Sequence, residues 1–240
     1  MNFVVFDVET TGLNPELAAV VELAAIPVIN GIKGEPFVSY IKPHKDAQIS
    51  DEALKINKLT RKQLETFPEA KQVLEEFVAW MDSQQTIFAL MGHNVQFDRK
   101  FLYSLFCRNG MHTDFITRFR PNDFCTLDMA KRVFSGKRTK PENNKLGTLC
   151  KWFEIKLDNA HSALPDIEAT YELFQALKVL LPEAPQPVKM DYAQKRRKYM
   201  DSGYCQFNPE GDIFITRKAT KDPEAMKFIS EEMYHLYGTI

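Results

Sequence analysis

FDVETTG, Phe6–Gly12, decides how the chain is read. Ahead of it, Asn2–Phe6 is a mostly apolar run, and Asn2–Val8 reads as a central β-strand. A strand repeats every two residues, so Asp7 and Glu9 point to one side of a sheet and Val8 to the other. Like charges on one face repel, and burial raises the cost of each. A divalent cation reverses that cost, and hard oxygen ligands of this kind suit Mg2+ or Mn2+. D-x-E is also a short and common pattern, and the same two acids serve equally to end a strand and face water. Thr10, Thr11 and Gly12 make a turn. The pair needs partners from elsewhere in the chain.

Downstream, VVELAAIPVI (Val20–Ile29) and PFVSYIKP (Pro36–Pro43) read as two more strands. NGIKGE between them carries the Asn-Gly of a hairpin turn. Helices follow. SDEALKIN begins at a plausible Ser50 cap, and TRKQLETF has Thr60 and Gln63 in capping-box spacing. PEAKQVLEEFVAWMDS starts at Pro68 and aligns Val73, Leu74, Phe77, Val78 and Met81 on one stripe. TIFALMG (Thr86–Gly92) is a short buried strand, and FDRKFLYSLFCRNG a helix ending at Gly110. TLDMAKRVF, KLGTLCKWFEI and DIEATYELFQALKVLL are further helices. The proline-rich LPEAPQPVKM (Leu181–Met190) reads as a connector. The expected organisation is a main domain over 1–182 and a connector with a small appendage, a hairpin plus a helix, over 183–240.

The 240 residues suit one sizeable domain with such an appendage, and 44% hydrophobic content fills a core without disulfides. Cys107, Cys125, Cys150 and Cys205 are scattered with no C-x-x-C spacing, which argues against a zinc ribbon or a redox motif. A reduced, cytoplasmic setting is expected. No signal peptide and no membrane span is visible. Net charge is -1, yet Phe115–Lys151 holds nine basic and three acidic residues, and Lys195–Lys198 reads KRRK. Such runs are either solvated faces or grips for a phosphate backbone.

Two later segments carry possible partners for the acid pair. IFALMG leads into HNVQFDRKFL, which sets Asp98 near a helix start. HSALPDIEATYELF places His161 in a loop, Ser162 at a good N-cap position and Asp166 in the first helical turn. Singly, each acid is also an ordinary dipole partner or cap, and a lone His before a helix is an ordinary surface residue.

In this order, D-x-E, H-N-x-x-F-D and H-x-x-x-x-D resemble the DEDDh 3'-5' exonucleases, the DnaQ-like family of the proofreading epsilon subunit of bacterial DNA polymerase III. The likeness runs from about Asn2 to Leu181 and includes TLDMAKR and LGTLCKWFEI. It implies an α/β, ribonuclease H-like fold: a mixed central sheet of about five strands flanked by helices. It implies that Asp7, Glu9, Asp98 and Asp166 bind two divalent cations, Mg2+ or Mn2+, about 4 Å apart, and that His161 is the general base. By the same likeness Thr10, Gly12 and Leu13 hold the 3'-terminal nucleotide, with Leu13 wedged against its base. His93, Asn94 and Phe97 line the scissile strand.

The chain departs from the family in three places. Cys125 stands where relatives often have Asp, with Asp128 three residues on. KINKLT replaces a common His-Gly turn. The segment after Pro185 does not match the clamp-binding tail of a proofreading subunit. The implied activity is metal-dependent 3'-5' hydrolysis of DNA to nucleoside 5'-monophosphates, with a polymerase or repair protein as a possible partner and no membrane. RNA 3'-end trimming is the alternative, and a silent nucleic-acid or partner-binding module a further one. Glycosidase chemistry fits poorly, because its two carboxylates flank a scissile bond and need no third acid.

Overall fold

The protein, seen in a computed structural model, is described over residues 2–120, 123–157, 162–181, 205–207 and 213–215. The chain divides into two compact units, Met1–Leu181 and Pro182–Ile240.

The first unit is built on β1 (Phe3–Thr10), β2 (Val20–Ile29), β3 (Ile32–Lys33), β4 (Phe37–Tyr40), β5 (Ala89–Gly92) and β6 (Phe124–Cys125). β1 lies between antiparallel β2 and parallel β5, and β6 pairs in parallel with β5. β3 and β4 both pair with β2, on successive stretches of it. The sheet therefore has six strands in about five positions, mixed in sense. Asn30 and Gly31, at φ of 52° and 85°, form the turn into β3, a backbone that Asn-Gly adopts at little cost.

Parity along β1 sorts the two faces. Even residues Val4, Phe6 and Val8 enter a core with Phe77 of α3 (Ala70–Ser83) and Phe101 and Leu102 of α4 (Val95–Arg108). Odd residues Phe3 and Val5 meet Ala163, Ile167 and Tyr171 of α8 (Ala163–Leu180). Asp7 and Glu9 continue the odd series, so the α8 face is where their partner must come from. α1 (Asp51–Ile56) and α2 (Arg61–Thr66) pack Leu54 and Leu64 on Val21. Ser50 caps α1, and Thr60 and Gln63 form a reciprocal capping box on α2, as their spacing predicts. α6 (Thr126–Phe134) and α7 (Leu146–Trp152) share a core with Leu173 and Leu177 of α8.

Three features differ from the sequence reading. β1 runs on to Thr10 because Asp7 and Glu9 stay paired with Ala24 and Glu22, and the irregularity comes only after Glu9. The acids thus sit inside the strand. α5 (His112–Arg118) and two-residue β6 are additional elements whose short lengths leave no periodic signal. Val78 is only partly buried on the α3 stripe.

In the second unit, β7 (Cys205–Phe207) and β8 (Ile213–Ile215) pair antiparallel. The Pro-rich connector, the KRRK cluster and the expected final helix lie outside the described residues.

Candidate active site

β1 brings Asp7 and Glu9 to the α8 face, and α8 supplies Asp166 from its first turn. One carboxylate oxygen from each of the three lies within 4.8 Å of the other two. Asp98, 4% exposed, sits in the first turn of α4. It accepts the Val8 N–H as well as its own backbone N–H. The last β1–β5 pair is Val5–Met91, so beyond it β1 has an edge with no neighbouring strand on that side, and Asp98 takes up its N–H. Gly92 permits this junction. A Cβ there would lie 3.3 Å from the Phe6 carbonyl oxygen and 3.4 Å from Val95 Cα.

The electrostatics record the crowding. Burial raises the Asp7 carboxyl well above its ordinary value, and repulsion from Asp98, Glu9, Asp166 and Glu22 adds to it. Burial first, then Asp166 and Glu22, push Glu9 up to about 7. Burial lifts Asp98 to about 8 against the two N–H bonds that favour its charged form, with Glu9 adding to the rise. Such acids are held together at a cost that a bound cation removes. The three gathered carboxylate oxygens are hard donors of the type that Mg2+ and Mn2+ prefer, so the residues fit a divalent ion.

Beside the acids lies a cleft of about 680 Å3, with Glu9, Thr10, Leu13, Ile56, Asn57 and Phe97 among its walls. Leu13 is 86% exposed, which leaves its side chain free to meet a ligand. The Thr10 hydroxyl donates to the Gly12 carbonyl (2.7 Å), and Asn57 Nδ2 donates to the Thr10 carbonyl (3.0 Å). Gly12 is close enough to Ala18 that an added Cβ would lie 3.2 Å from the Ala18 Cβ. Phe97 lies against Phe101, ring centroids 4.9 Å apart.

His93 and Asn94 stand differently. His93 Nε2 donates to the Asn144 carbonyl and Nδ1 faces the Thr126 hydroxyl, both at 2.9 Å, so the ring braces the end of β5 within the fold. Asn94 precedes α4 in left-handed backbone at φ 73° and is exposed. His161 lies outside the described residues. At the family departures, Asp128 pairs with Lys131 (2.9 Å) and accepts a hydrogen bond from Cys125, while Lys58 occupies left-handed backbone at φ 57°.

Two participants escaped the sequence reading. Glu22, 6% exposed, lies opposite Glu9 across the β1–β2 ladder. Its signal was present: it is the one charged residue in the ten of Val20–Ile29. Asn57 had no comparable signal, since an Asn after a helix is ordinary.

This arrangement defines a class: a carboxylate cluster on the sheet of a ribonuclease H-like fold. Residues 4–174 match the RNase_T exonuclease family, and the chain belongs to that family. It is 34% identical over 171 residues to the PolC-type DNA polymerase III of Halalkalibacterium halodurans, a match covering 71% of this chain and 11% of that protein. It is 27% identical over 237 residues to the PolC-type DNA polymerase III of Bacillus subtilis, covering 98% of this chain and 15% of the relative. The chain thus spans a small part of the length of these relatives. Among solved structures, Escherichia coli exonuclease I in complex with a dT13 oligonucleotide matches with a TM-score of 0.59 at 25% identity, over 86% of this chain and 46% of the other. No helix among the described residues is long and apolar enough to cross a membrane.

Proposed function

We propose that the protein is a metal-dependent 3'-5' exonuclease that removes nucleoside 5'-monophosphates from the 3' end of DNA. The observation that carries this is the meeting of Asp7, Glu9 and Asp166 oxygens within 4.8 Å beside an open cleft. Family membership and the exonuclease I likeness support it.

Asp7, Glu9 and Asp166 would hold the divalent ions, with Asp98 beside them completing the acidic wall. Divalent ions held there, Mg2+ or Mn2+, would acidify a water for attack and offset charge on the leaving 3' oxygen. Leu13, Ile56 and Phe97 give the terminal base apolar surfaces to lie against, and the Thr10–Gly12 turn borders the sugar. His161 accepts the proton of the attacking water, help typically worth about 100- to 10,000-fold. Its position two residues ahead of α8 suits that task, because α8 carries Asp166. Exposed Lys137, Arg138 and Lys140 grip the phosphate backbone further along the strand. Cys107, Cys125 and Cys150 are free thiols, which suits a reduced, cytoplasmic setting. A polymerase partner accords with the PolC-type relatives.

The test is degradation of matched labelled DNA and RNA oligomers, single-stranded and duplex, with Mg2+, Mn2+ or EDTA. Shortening of DNA from the 3' end that EDTA stops is the expected result. RNA shortening faster than DNA would make the protein a 3'-end trimming ribonuclease. No cleavage of any strand, with binding retained, would make it a silent nucleic-acid-binding module.

A further inference from the structure

Glu22 is a fourth acid on the face where Asp7, Glu9 and Asp166 already repel one another. Its strand neighbours Val20, Val21 and Leu23 are buried and apolar, so an apolar residue at position 22 would avoid a desolvation cost. Its oxygens are not among those gathered within 4.8 Å. What the carboxylate does have is the backbone N–H of Ala163, the first residue of α8, which donates to it. The N-cap residue, Ser162, makes no side-chain cap bond, and the N3 residue, Pro165, has no N–H to give it. The first-turn N–H groups of a helix have no partner within it, and the helix dipole favours a negative charge at that end. Glu22 therefore holds, from the sheet, a first-turn N–H of a helix whose own N-cap side chain holds none.

We propose that Glu22 is a positioning residue: it pins the N-terminus of α8 to β2 and so sets Asp166 against Asp7 and Glu9. This rests on the reading of those three as metal ligands. The link is short. β2 is paired to β1 in register with Glu22 opposite Glu9, and Asp166 lies three residues beyond Ala163 on the same helical turn. Loosening the helix end lets Asp166 drift from the β1 acids, while the cleft around Leu13 and Phe97 keeps its walls.

Glu22→Gln and Glu22→Ala separate this role from others. Gln retains an oxygen that accepts the Ala163 N–H, and Ala does not. Glu22→Ala should lower kcat on a labelled DNA oligomer, and weaken Mn2+ binding by calorimetry, each about 10- to 100-fold, with KM within about twofold. Amide hydrogen exchange at Ala163 should rise in the same variant. Glu22→Gln should bring kcat and Mn2+ affinity back to within about fivefold of wild type. A Gln variant as impaired as the Ala variant overturns the proposal, since charge or direct ligation then matters. Loss of thermal stability in the Ala variant with wild-type kcat and Mn2+ affinity also overturns it. Should the Ala variant not fold, unaltered Ala163 exchange and near-wild-type Mn2+ affinity in the Gln variant support the proposal, and fast exchange or lost affinity overturns it. If the wild-type protein neither binds Mn2+ nor cleaves, the reading of the site has failed. Exchange at Ala163 then still decides whether Glu22 holds the helix.

Discussion

Asp7, Glu9 and Asp98 would each be more comfortable in water, Asp166 adds to the repulsion on Asp7 and Glu9, and that repulsion is what a divalent ion relieves. Asp7→Ala, Asp98→Ala and Asp166→Ala should each abolish measurable cleavage while the melting temperature of the metal-free protein holds or rises, because each removes a repelling acid. Retained activity in any of the three, measured with saturating Mn2+, takes that residue out of the site. The same repulsion gives a pH dependence with a definite sign. Glu9 is pushed from an ordinary 4.5 to about 7, and Asp98 from 3.8 to about 8. Between those values the folded chain holds protons that the unfolded chain has lost, so stability falls as pH rises. The melting temperature in EDTA should drop from about pH 5 to pH 8, and saturating Mn2+ should remove the drop. A flat profile in EDTA would mean that the acids are not strained.

At the scale of elements, legibility tracked repeat length. The 3.6-residue stripe of α3 and the ten apolar-dominated residues of β2 were plain in the sequence, as were the capping pairs of α1 and α2. β6 and α5 were not, because two and seven residues give too little period to read. The acids of β1 were legible by their spacing, but not the strand's continuation through them, which depends on pairing with β2. Glu22 was visible as an odd charge, but its function needs the helix end that only the fold brings to it. The loop between β1 and β2 makes its own prediction. Leu13 is 86% exposed, so Leu13→Ala should leave the melting temperature unchanged. If it is the surface on which the terminal base lies, KM for an oligomer should rise about fivefold, roughly 1 kcal/mol of apolar contact. An unchanged KM would assign base contact to Ile56 and Phe97 alone.

Across the whole molecule the proposed function raises the question of where a long strand would be held with its last nucleotide in the cleft. Two places carry cations without a matching run of acids. One is the exposed stretch with Lys137, Arg138 and Lys140 in the first unit. The other is Lys195–Lys198 in the second, interleaved with Tyr192, Tyr199 and Tyr204, outside the described residues. Each released counterion contributes to the salt dependence of binding, about 0.7 in log-log slope per phosphate on a single strand. Reversing Lys137, Arg138 and Lys140 to Glu should therefore flatten the slope by about 2 if all three touch phosphate. Cleavage of a dinucleotide, which has a single phosphodiester link to hold, should survive. Ending the chain at Pro187 asks the same of the second unit, since cations mixed with aromatic rings suit a phosphate backbone with bases stacked on it. The site residues all precede that point, so dinucleotide cleavage should persist in the shortened protein. Affinity for long strands should fall, with a shallower salt slope. If affinity and slope both stay as in the full chain, the second unit does not hold the strand, and its tyrosines and lysines serve packing or a protein partner instead.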